Sequence, residues 1–254
     1  MKISALASGS NGNCFYINNG DSSIIVDSGI SCKQVEKRLN YLGEDPNKIK
    51  GIFVTHEHHD HVKGVDVLSR KYNIPIFATR GTINNSLVCS NEELINEIKN
   101  DEIIKLAGLE IEAFSKPHDA ADPVSFAIRN GKMISILTDI GHASKNVIGA
   151  VENSDFLVIE TNHDLKMLQE GPYPYFLKRR IEGEVGHFSN FNSAACVLEH
   201  SRPKLKNVML AHLSEINNTP QLAFQTFNSL MKERIDLHPK ITLSLKNPTP
   251  LFKI

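Results

Sequence analysis

One segment of the chain, residues 51–61 (GIFVTHEHHDH), constrains the fold and the chemistry more than any other. An apolar run ends at Thr55, and the next six residues contain four histidines and one aspartate. Because alternate side chains of an extended segment point the same way, His56 and His58 can hold one cation between them. A solvated polar loop is the alternative, and the position of the histidines directly after an apolar strand argues against it.

The same segment predicts a second cation beside the first. A helical pattern begins at residue 62, and the turn of the chain towards it lets Asp60 and His61 face another ion. Alternation directs His59 away from both ions. Imidazole and carboxylate together suit zinc, manganese or iron, whereas calcium prefers an all-oxygen shell. The segment therefore indicates two divalent metal ions.

Short runs rich in β-branched residues alternate with helical patterns along the whole chain, which predicts a mixed α/β fold. Strands are predicted near 2–7, 14–18, 23–27, 51–55, 75–78, 109–114, 123–129, 133–138, 155–160, 206–211 and 241–245. Helices are predicted near 31–41, 62–72, 91–99, 143–152, 164–181, 190–201 and 219–235. No internal repeat and no flexible linker interrupts the pattern, so residues 1–254 are expected to form a single domain of two packed sheets with helices outside.

Composition excludes several classes of protein. The 254 residues carry 28 Lys+Arg and 29 Asp+Glu, and 41% of them are hydrophobic, as in an ordinary globular chain. No stretch reaches the ~18–20 apolar residues of a membrane span, and the N-terminus is too polar for a signal peptide. The near-neutral charge gives no global basic field for nucleic acid, although a local basic groove is compatible with it. Four scattered cysteines without a CxxC spacing indicate reduced thiols and a cytoplasmic protein.

Three later segments place a polar residue just after an apolar strand: His118 in KPHDAADP, Asp139 in SILTDIG and His212 in VMLAHLSEIN. Together with the HxHxDH motif, they resemble the metallo-β-lactamase-fold superfamily over essentially the whole chain. The resemblance implies a four-layer αββα metallo-β-lactamase sandwich with a dinuclear metal centre. It implies His56, His58 and His118 on one ion, Asp60, His61 and His212 on the other, and Asp139 between the two.

Hydrolysis is the reaction that such a centre implies. Two divalent ions can share a water, lower its pKa from ~15.7 towards neutrality and so provide a bridging hydroxide as nucleophile. Asp60 is assigned to catalysis as well as to metal binding. Glu160 in FLVIETNHD and His187 in EVGHFSN resemble the pattern of phosphodiesterase-type members, in which an acidic residue orients a histidine that protonates the leaving oxygen. A proton donor matters for the expulsion of an alkoxide.

Four motifs resemble a bacterial subgroup of this superfamily, the YycJ/WalJ group: SGSNGN (8–13), TNHD (161–164), GHFSN (186–190) and HLSEINN (212–218). The resemblance implies a metal-dependent 5′→3′ exonuclease acting on double-stranded DNA. A 5′ phosphate on the DNA and a homo-oligomeric form are further expectations. On this interpretation small polar residues bind the substrate: Ser8, Ser10, Asn11, Asn13, Ser189, Asn190, Ser214 and Asn217. For the loop 8–13, a plain turn between two strands is the alternative. The basic run Lys178, Arg179 and Arg180 is interpreted as a solvated helix face, with a phosphate-binding patch as the alternative.

Two other classes of function remain open. The same seven ligands suit a small-molecule hydrolase of thioester or lactone type. A thioester leaving group needs little protonation, so loss of His187 would matter far less in such an enzyme. The third class is a metal-stabilised binding protein without turnover. An open site with a shared water argues against it, because structural zinc sites are closed by four protein ligands.

Overall fold

The computed structural model describes residues 1–254, and its contacts divide them into two units. The first comprises Met1–Ser115, Ala120–Asn130 and Leu245–Ile254, and the second comprises Lys116–Asp119 and Gly131–Ser244. Both units combine strands with helices, as the sequence pattern predicted. None of the helices has the length and apolar character that a membrane crossing requires. The single domain over residues 1–254 stays a prediction.

The first unit is built on a seven-stranded sheet. In chain order the strands of the unit are β1 (Lys2–Ala7), β2 (Cys14–Asn19), β3 (Ser22–Val26), β4 (Ile49–Phe53), β5 (Ile76–Thr79), β6 (Ile95–Ile98), β7 (Ile103–Leu106), β8 (Leu109–Ser115), β9 (Val124–Asn130) and, after the strands of the second unit, β14 (Phe252–Lys253). The sheet order is β14-β1-β2-β3-β4-β5-β6, antiparallel as far as β3 and parallel beyond it. β8 pairs antiparallel with both β7 and β9.

The helices of the first unit connect its parallel strands. They are α1 (Cys32–Tyr41), α2 (His59–Val62), α3 (Val65–Tyr72) and α4 (Arg80–Asn85), with 3₁₀ turns at Pro46–Lys48 and Glu92–Leu94. Hydroxyl side chains of Ser31 and Thr79 cap α1 and α4 by accepting backbone N–H groups. α1 and α3 bury Val35, Leu39 and Leu68 in the core. The histidine segment leaves this core at the end of β4.

The second unit contains a parallel group of strands. They are β10 (Lys132–Leu137), β11 (Phe156–Glu160), β12 (Asn207–Ala211) and β13 (Lys240–Leu243), in the order β13-β12-β11-β10. Its helices are α5 (Lys145–Asn153), α6 (Leu165–Glu170), α7 (Tyr175–Ile181), α8 (Asn190–His200) and α9 (Pro220–Met231). β11 is buried along its whole length, as a parallel strand covered on both faces must be. The carboxyl ends of β10, β11 and β12 lie at one edge, which is where sites form in such sheets.

The structure corrects two of the predicted helices. Residues 91–99 contain a 3₁₀ turn and strand β6, because Ile95 and Ile98 pair with β5 at the edge of the sheet and this pairing outweighs their helical spacing. The predicted helix 164–181 is divided into α6 and α7, because the prolines of the intervening GPYP segment lack the N–H group that a helix needs. No pattern predicted β7, β14 or α4.

Candidate metal centre

The four predicted ligands of the first unit lie together after β4. His58 is the N-cap of α2, and Asp60 and His61 lie in the helix itself. Nε2 of His56 lies 3.1 Å from Nδ1 of His58, and Nε2 of His61 lies 3.4 Å from Oδ2 of Asp60. His59 is exposed. We call His56, His58, Asp60 and His61 the first-unit cluster.

Asp27, which was not predicted as a site residue, forms a hydrogen bond with His61. Its Oδ2 accepts a hydrogen bond from Nδ1 of His61 at 2.7 Å and one from Oγ1 of Thr55 at 2.9 Å, and its Oδ1 accepts from the Thr55 backbone N–H at 2.8 Å. With its Nδ1 proton held by a carboxylate, His61 has its lone pair on Nε2, the atom beside Asp60. The available signal was an apolar strand, predicted at 23–27, that ends in aspartate.

Asn13, predicted to bind substrate, contacts two residues of the first-unit cluster. Its Nδ2 lies 3.2 Å from Oδ2 of Asp60 and 3.1 Å from Nε2 of His61. An amide nitrogen only donates, so Nε2 of His61 is again the acceptor. The backbone of Asn13 also donates to the Asp60 carbonyl at 2.8 Å. Asn13 therefore fixes the position of this aspartate and histidine.

The rest of the loop 8–13 divides into a buried and an exposed part. Ser8 is buried and donates to Oδ1 of Asn13 at 3.4 Å. Ser10 and Asn11 are exposed. Of the loop residues predicted to bind substrate, Ser10 and Asn11 thus present their side chains to solvent.

The second unit gathers the other predicted ligands. Asp139 follows β10 and His212 follows β12, and Oδ1 of Asp139 lies 3.5 Å from Nδ1 of His212. Nε2 of His118 lies 3.9 Å from the same oxygen. All three side chains are buried. We call His118, Asp139, His187 and His212 the second-unit cluster.

Glu160 orients two histidines from the end of β11. Its Oε1 accepts hydrogen bonds from Nδ1 of His187 at 2.8 Å and Nδ1 of His212 at 2.7 Å. Its Oε2 accepts from the backbone N–H groups of Ile140 at 2.9 Å and Phe188 at 3.0 Å. Four donors occupy this fully buried carboxylate, so it orients the rings and leaves Nε2 of both histidines for other partners.

The charges in this cluster favour an ion pair between His187 and Glu160. Burial acts to lower the pKa of His187, but the negative charge and hydrogen bond of Glu160 outweigh burial and raise that pKa above its ordinary value. Burial acts to raise the pKa of Glu160, and the facing His187 and His212 outweigh it, so that pKa is lowered. Burial lowers the pKa of His118 to about 4, which keeps this imidazole neutral and able to bind a metal ion.

Lys116 lies beside Asp139 and was also not predicted. Its Nζ lies 3.8 Å from Oδ2 of Asp139 and donates to the Thr138 carbonyl at 2.8 Å. The side chain of Lys116 has no exposure to solvent. Its positive charge compensates the buried carboxylate of Asp139.

Of the remaining residues predicted to bind substrate, Ser189, Asn190 and Ser214 form side-chain hydrogen bonds within the second unit, whereas the side-chain amide of Asn217 has no hydrogen-bond partner. Ser189 caps α8 by accepting a backbone N–H, and Asn190 exchanges amide hydrogen bonds of 3.0 and 2.8 Å with Asn218. Oγ of Ser214 accepts the backbone N–H of Asn217 at 3.1 Å. The side chains of Ser189, Asn190 and Asn217 are buried. A role for these four predicted residues in substrate binding stays a prediction.

The donor atoms of both clusters fit divalent metal ions. His61 and His212 each donate their Nδ1–H to a carboxylate, and Nδ1 of His118 faces the Gly186 carbonyl at 3.4 Å. A histidine held in this way offers Nε2 as a ligand, and such partners are typical of metal-bound histidines. Zinc, manganese and iron all accept imidazole together with carboxylate.

Comparison with known proteins agrees with this chemistry. The family model of the metallo-beta-lactamase superfamily matches residues 7–134. The exodeoxyribonuclease YycJ of Bacillus anthracis is 35% identical over 243 residues, which cover 92% of this chain and 90% of that protein. The exodeoxyribonuclease WalJ of Streptococcus pneumoniae serotype 2 is 36% identical over 234 residues, which cover 89% of this chain and 86% of that protein.

A solved structure shows the fold. The metallo-beta-lactamase fold protein YhfI from Bacillus subtilis superposes with a TM-score of 0.74 at 14% identity, over 98% of each chain. At this identity the likeness concerns the fold alone. The predicted sandwich of two mixed sheets flanked by helices is confirmed.

Proposed function

Because the chain belongs to the metallo-β-lactamase superfamily, we propose that it is a metal-dependent exodeoxyribonuclease that degrades double-stranded DNA in the 5′→3′ direction. The observation that carries the proposal is the similarity to an exodeoxyribonuclease at 35% identity over 92% of this chain and 90% of the relative. The two clusters supply the donor atoms that a hydrolase of this superfamily needs.

In this proposal the chain holds two divalent ions. The ligands are His56, His58 and His118 for one ion, Asp60, His61 and His212 for the other, and Asp139 for both. When bound, the ions supply Lewis acidity towards water and towards a phosphodiester. Asp60 serves catalysis by holding its ion beside His61, from which its Oδ2 is 3.4 Å away.

His187 supplies a proton to the leaving oxygen. Glu160 holds the Nδ1–H of His187, so Nε2 is the atom that delivers the proton. The side chain of His187 is 22% exposed, whereas that of Glu160 is fully buried, as expected for an acid that reaches substrate and a carboxylate that orients it. The raised pKa of His187 favours its protonated form.

The finer parts of the proposal come from the sequence. Zinc or manganese is the metal, with iron also compatible, since the donors include both imidazole and carboxylate. The substrate is DNA with a 5′ phosphate, and Ser10 and Asn11 are its exposed contacts in the loop 8–13. A cytoplasmic location and a homo-oligomeric form belong to the same proposal.

Digestion of 5′-phosphorylated duplex DNA with Mn²⁺ or Zn²⁺ tests this function. The wild type is expected to release nucleotides stepwise from the 5′ end. Asp60→Ala is expected to abolish release, and His187→Ala is expected to slow it about 10²–10⁴-fold through loss of the general acid. His59→Ala is the matched control, because His59 lies in the same segment and is exposed.

Two results would contradict the proposal. One is a wild type that binds two ions per chain and releases no nucleotide with either metal. The other is digestion that continues unchanged in His187→Ala. Hydrolysis of a thioester or lactone that persists in His187→Ala, with no action on DNA, would favour the small-molecule alternative.

A further inference from the structure

α7 exposes two large aromatic side chains. Tyr175 is 76% exposed and Phe176 is 73% exposed. Arg179, one turn further along the helix, is also exposed. We call Tyr175, Phe176 and Arg179 the α7 patch. Neighbouring exposed apolar rings of this size are typical of a binding surface.

Arg179 is the cation of α7 that has no partner within the chain. Arg180 forms an ion pair with Asp119, and the Lys178 ammonium donates to a main-chain carbonyl at 2.6 Å. No acidic side chain pairs with Arg179. Because Tyr175 and Arg179 are four residues apart, they are neighbours on one face of the helix. That face therefore carries an aromatic ring beside a guanidinium available to an anion.

The C-terminal end of α7 contacts the second-unit cluster. The backbone N–H of His187 donates to the Ile181 carbonyl at 2.9 Å. Asp119, which holds Arg180, has its Oδ1 3.4 Å from Nε2 of His118. A helix of seven residues is about 10 Å long at ~1.5 Å per residue. This length corresponds to about three nucleotides of one strand, measured along the axis of duplex DNA at ~3.4 Å per nucleotide.

We propose that the α7 patch binds the DNA strand close to the cleaved nucleotide, with unpaired bases stacked on Tyr175 and Phe176 and a phosphate on Arg179. The inference rests on the proposed exonuclease function and adds a substrate contact to it. Aromatic rings stack on bases of any sequence, and a guanidinium matches the charge and geometry of a phosphate. Stacking requires unpaired bases, so the patch serves frayed or single-stranded parts of the substrate.

Binding of a single-stranded oligonucleotide tests the patch. Fluorescence anisotropy with phosphorothioate linkages that resist digestion allows the measurement in Mn²⁺ on the intact protein. The double variant Tyr175→Ala/Phe176→Ala is expected to raise Kd at least tenfold. Arg179→Gln is expected to reduce the slope of log Kd against log salt by about 0.7. Tyr41→Ala is the control, since Tyr41 lies in α1 of the first unit and is 78% exposed.

A second assay separates this inference from the exonuclease proposal. The kcat/KM of the double variant is expected to fall at least ten times more for DNA than for bis(p-nitrophenyl) phosphate, a diester without a neighbouring nucleotide. An unchanged oligonucleotide Kd in the double variant overturns the patch and leaves the exonuclease intact. A wild type that binds the oligonucleotide through the patch but digests no DNA overturns the exonuclease alone. Loss of binding to phosphatidylglycerol vesicles with an unchanged oligonucleotide Kd assigns the patch to a membrane and overturns the inference.

Discussion

Three buried residues near strand ends have left-handed backbone. Asp27 (φ 58°) and His212 (φ 55°) directly follow β3 and β12, and Asp139 (φ 58°) is the second residue after β10. This conformation costs a non-glycine residue about 1–3 kcal/mol, and aspartate and histidine are among the residue types found in it most often. It turns the chain where the strand ends and keeps the side chain at the sheet edge. The bonds Asp27–His61 and His212–Glu160 then hold the donors in one orientation before any ion binds.

Replacement of Asp27 by asparagine tests the support of His61. The amide side chain introduced by Asp27→Asn would retain an oxygen for the Thr55 backbone N–H, so we expect the fold to persist, whereas the charge that holds Nδ1 of His61 is lost. Loss of such a partner lowers metal affinity about 10–100-fold. Competition with a fluorescent zinc chelator measures this change. Asp21→Asn, at the exposed turn before β3, is the control, and equal affinities for Asp27→Asn and wild type would contradict the role.

At the scale of elements, segments that combine an apolar strand with the polar residue after it were predictable. The apolar pattern of the sequence predicts strands β4, β10, β11 and β12. It therefore also predicts that four polar residues lie at or just after the ends of these strands: His56, Asp139, Glu160 and His212. The positions of these residues at strand ends follow from the fold of parallel strands. Local pattern and tertiary structure agree in these segments.

Elements that depend on distant partners were not predictable. β6 has helical spacing, and only its pairing with β5 makes it a strand. Asp27 ends an ordinary strand, and its role arises from His61, which is distant along the chain. Asn190 was predicted to bind substrate and Asn218 belongs to the HLSEINN motif, but the two side chains meet as a buried amide pair. A single sequence contains no signal for such pairings.

Alanine substitutions at two glycines, Gly149 and Gly29, test how closely neighbouring elements pack. Gly149 lies within α5, and a methyl group there would meet no atom within 4 Å. Gly149→Ala is therefore expected to raise the free energy of unfolding by about 0.5–1 kcal/mol, the difference between glycine and alanine in a helix.

A Cβ at Gly29 would overlap the Asp60 carbonyl oxygen, so Gly29→Ala is expected to displace α2 and lower stability and metal binding. Urea denaturation measures both, and the reverse order of stabilities would contradict the packing.

Asp66, in the first turn of α3, forms hydrogen bonds with the segment after α4. Its carboxylate accepts from the backbone N–H and hydroxyl of Ser90 at 2.8 and 2.9 Å and pairs with Arg70. The hydrogen bond from Arg70 is the main reason that the pKa of Asp66 is well below its usual value. A carboxyl with a lowered folded-state pKa contributes stability above its unfolded pKa of ~3.9, and this stability is lost as the pH falls through the folded-state pKa.

The prediction for Asp66→Asn follows from this pH dependence of the stability that Asp66 contributes. We expect the free energy of unfolding to decrease by about 1 kcal/mol at pH 7, and the difference from wild type to shrink progressively below about pH 4. Urea titrations at several pH values measure it, with Asp21→Asn as the control. A difference that stays the same from pH 7 to pH 3 would show that the charge of Asp66 has no part in its effect.

At the scale of the whole molecule, the proposed ligands come from segments that are far apart in the sequence. His56, His58, Asp60 and His61 follow β4, whereas His118, Asp139 and His212 follow β8, β10 and β12. In the proposal, bound ions stabilise the folded state by about 2.7 kcal/mol when they are present at 100 times their Kd.

A double-mutant cycle tests the proposed ligand assignment. The proposal assigns His61 and His212 to one ion, so the loss of either weakens the same site. We expect the effects of His61→Ala and His212→Ala on metal affinity to be non-additive, because ligands of one ion are coupled. Isothermal titration with Zn²⁺ measures the four proteins of the cycle. The control cycle combines His58→Ala with His212→Ala, which the proposal assigns to different ions and for which we expect smaller coupling. Additive effects in the first cycle would mean that His61 and His212 bind separate ions, and the proposed ligand assignment would be wrong.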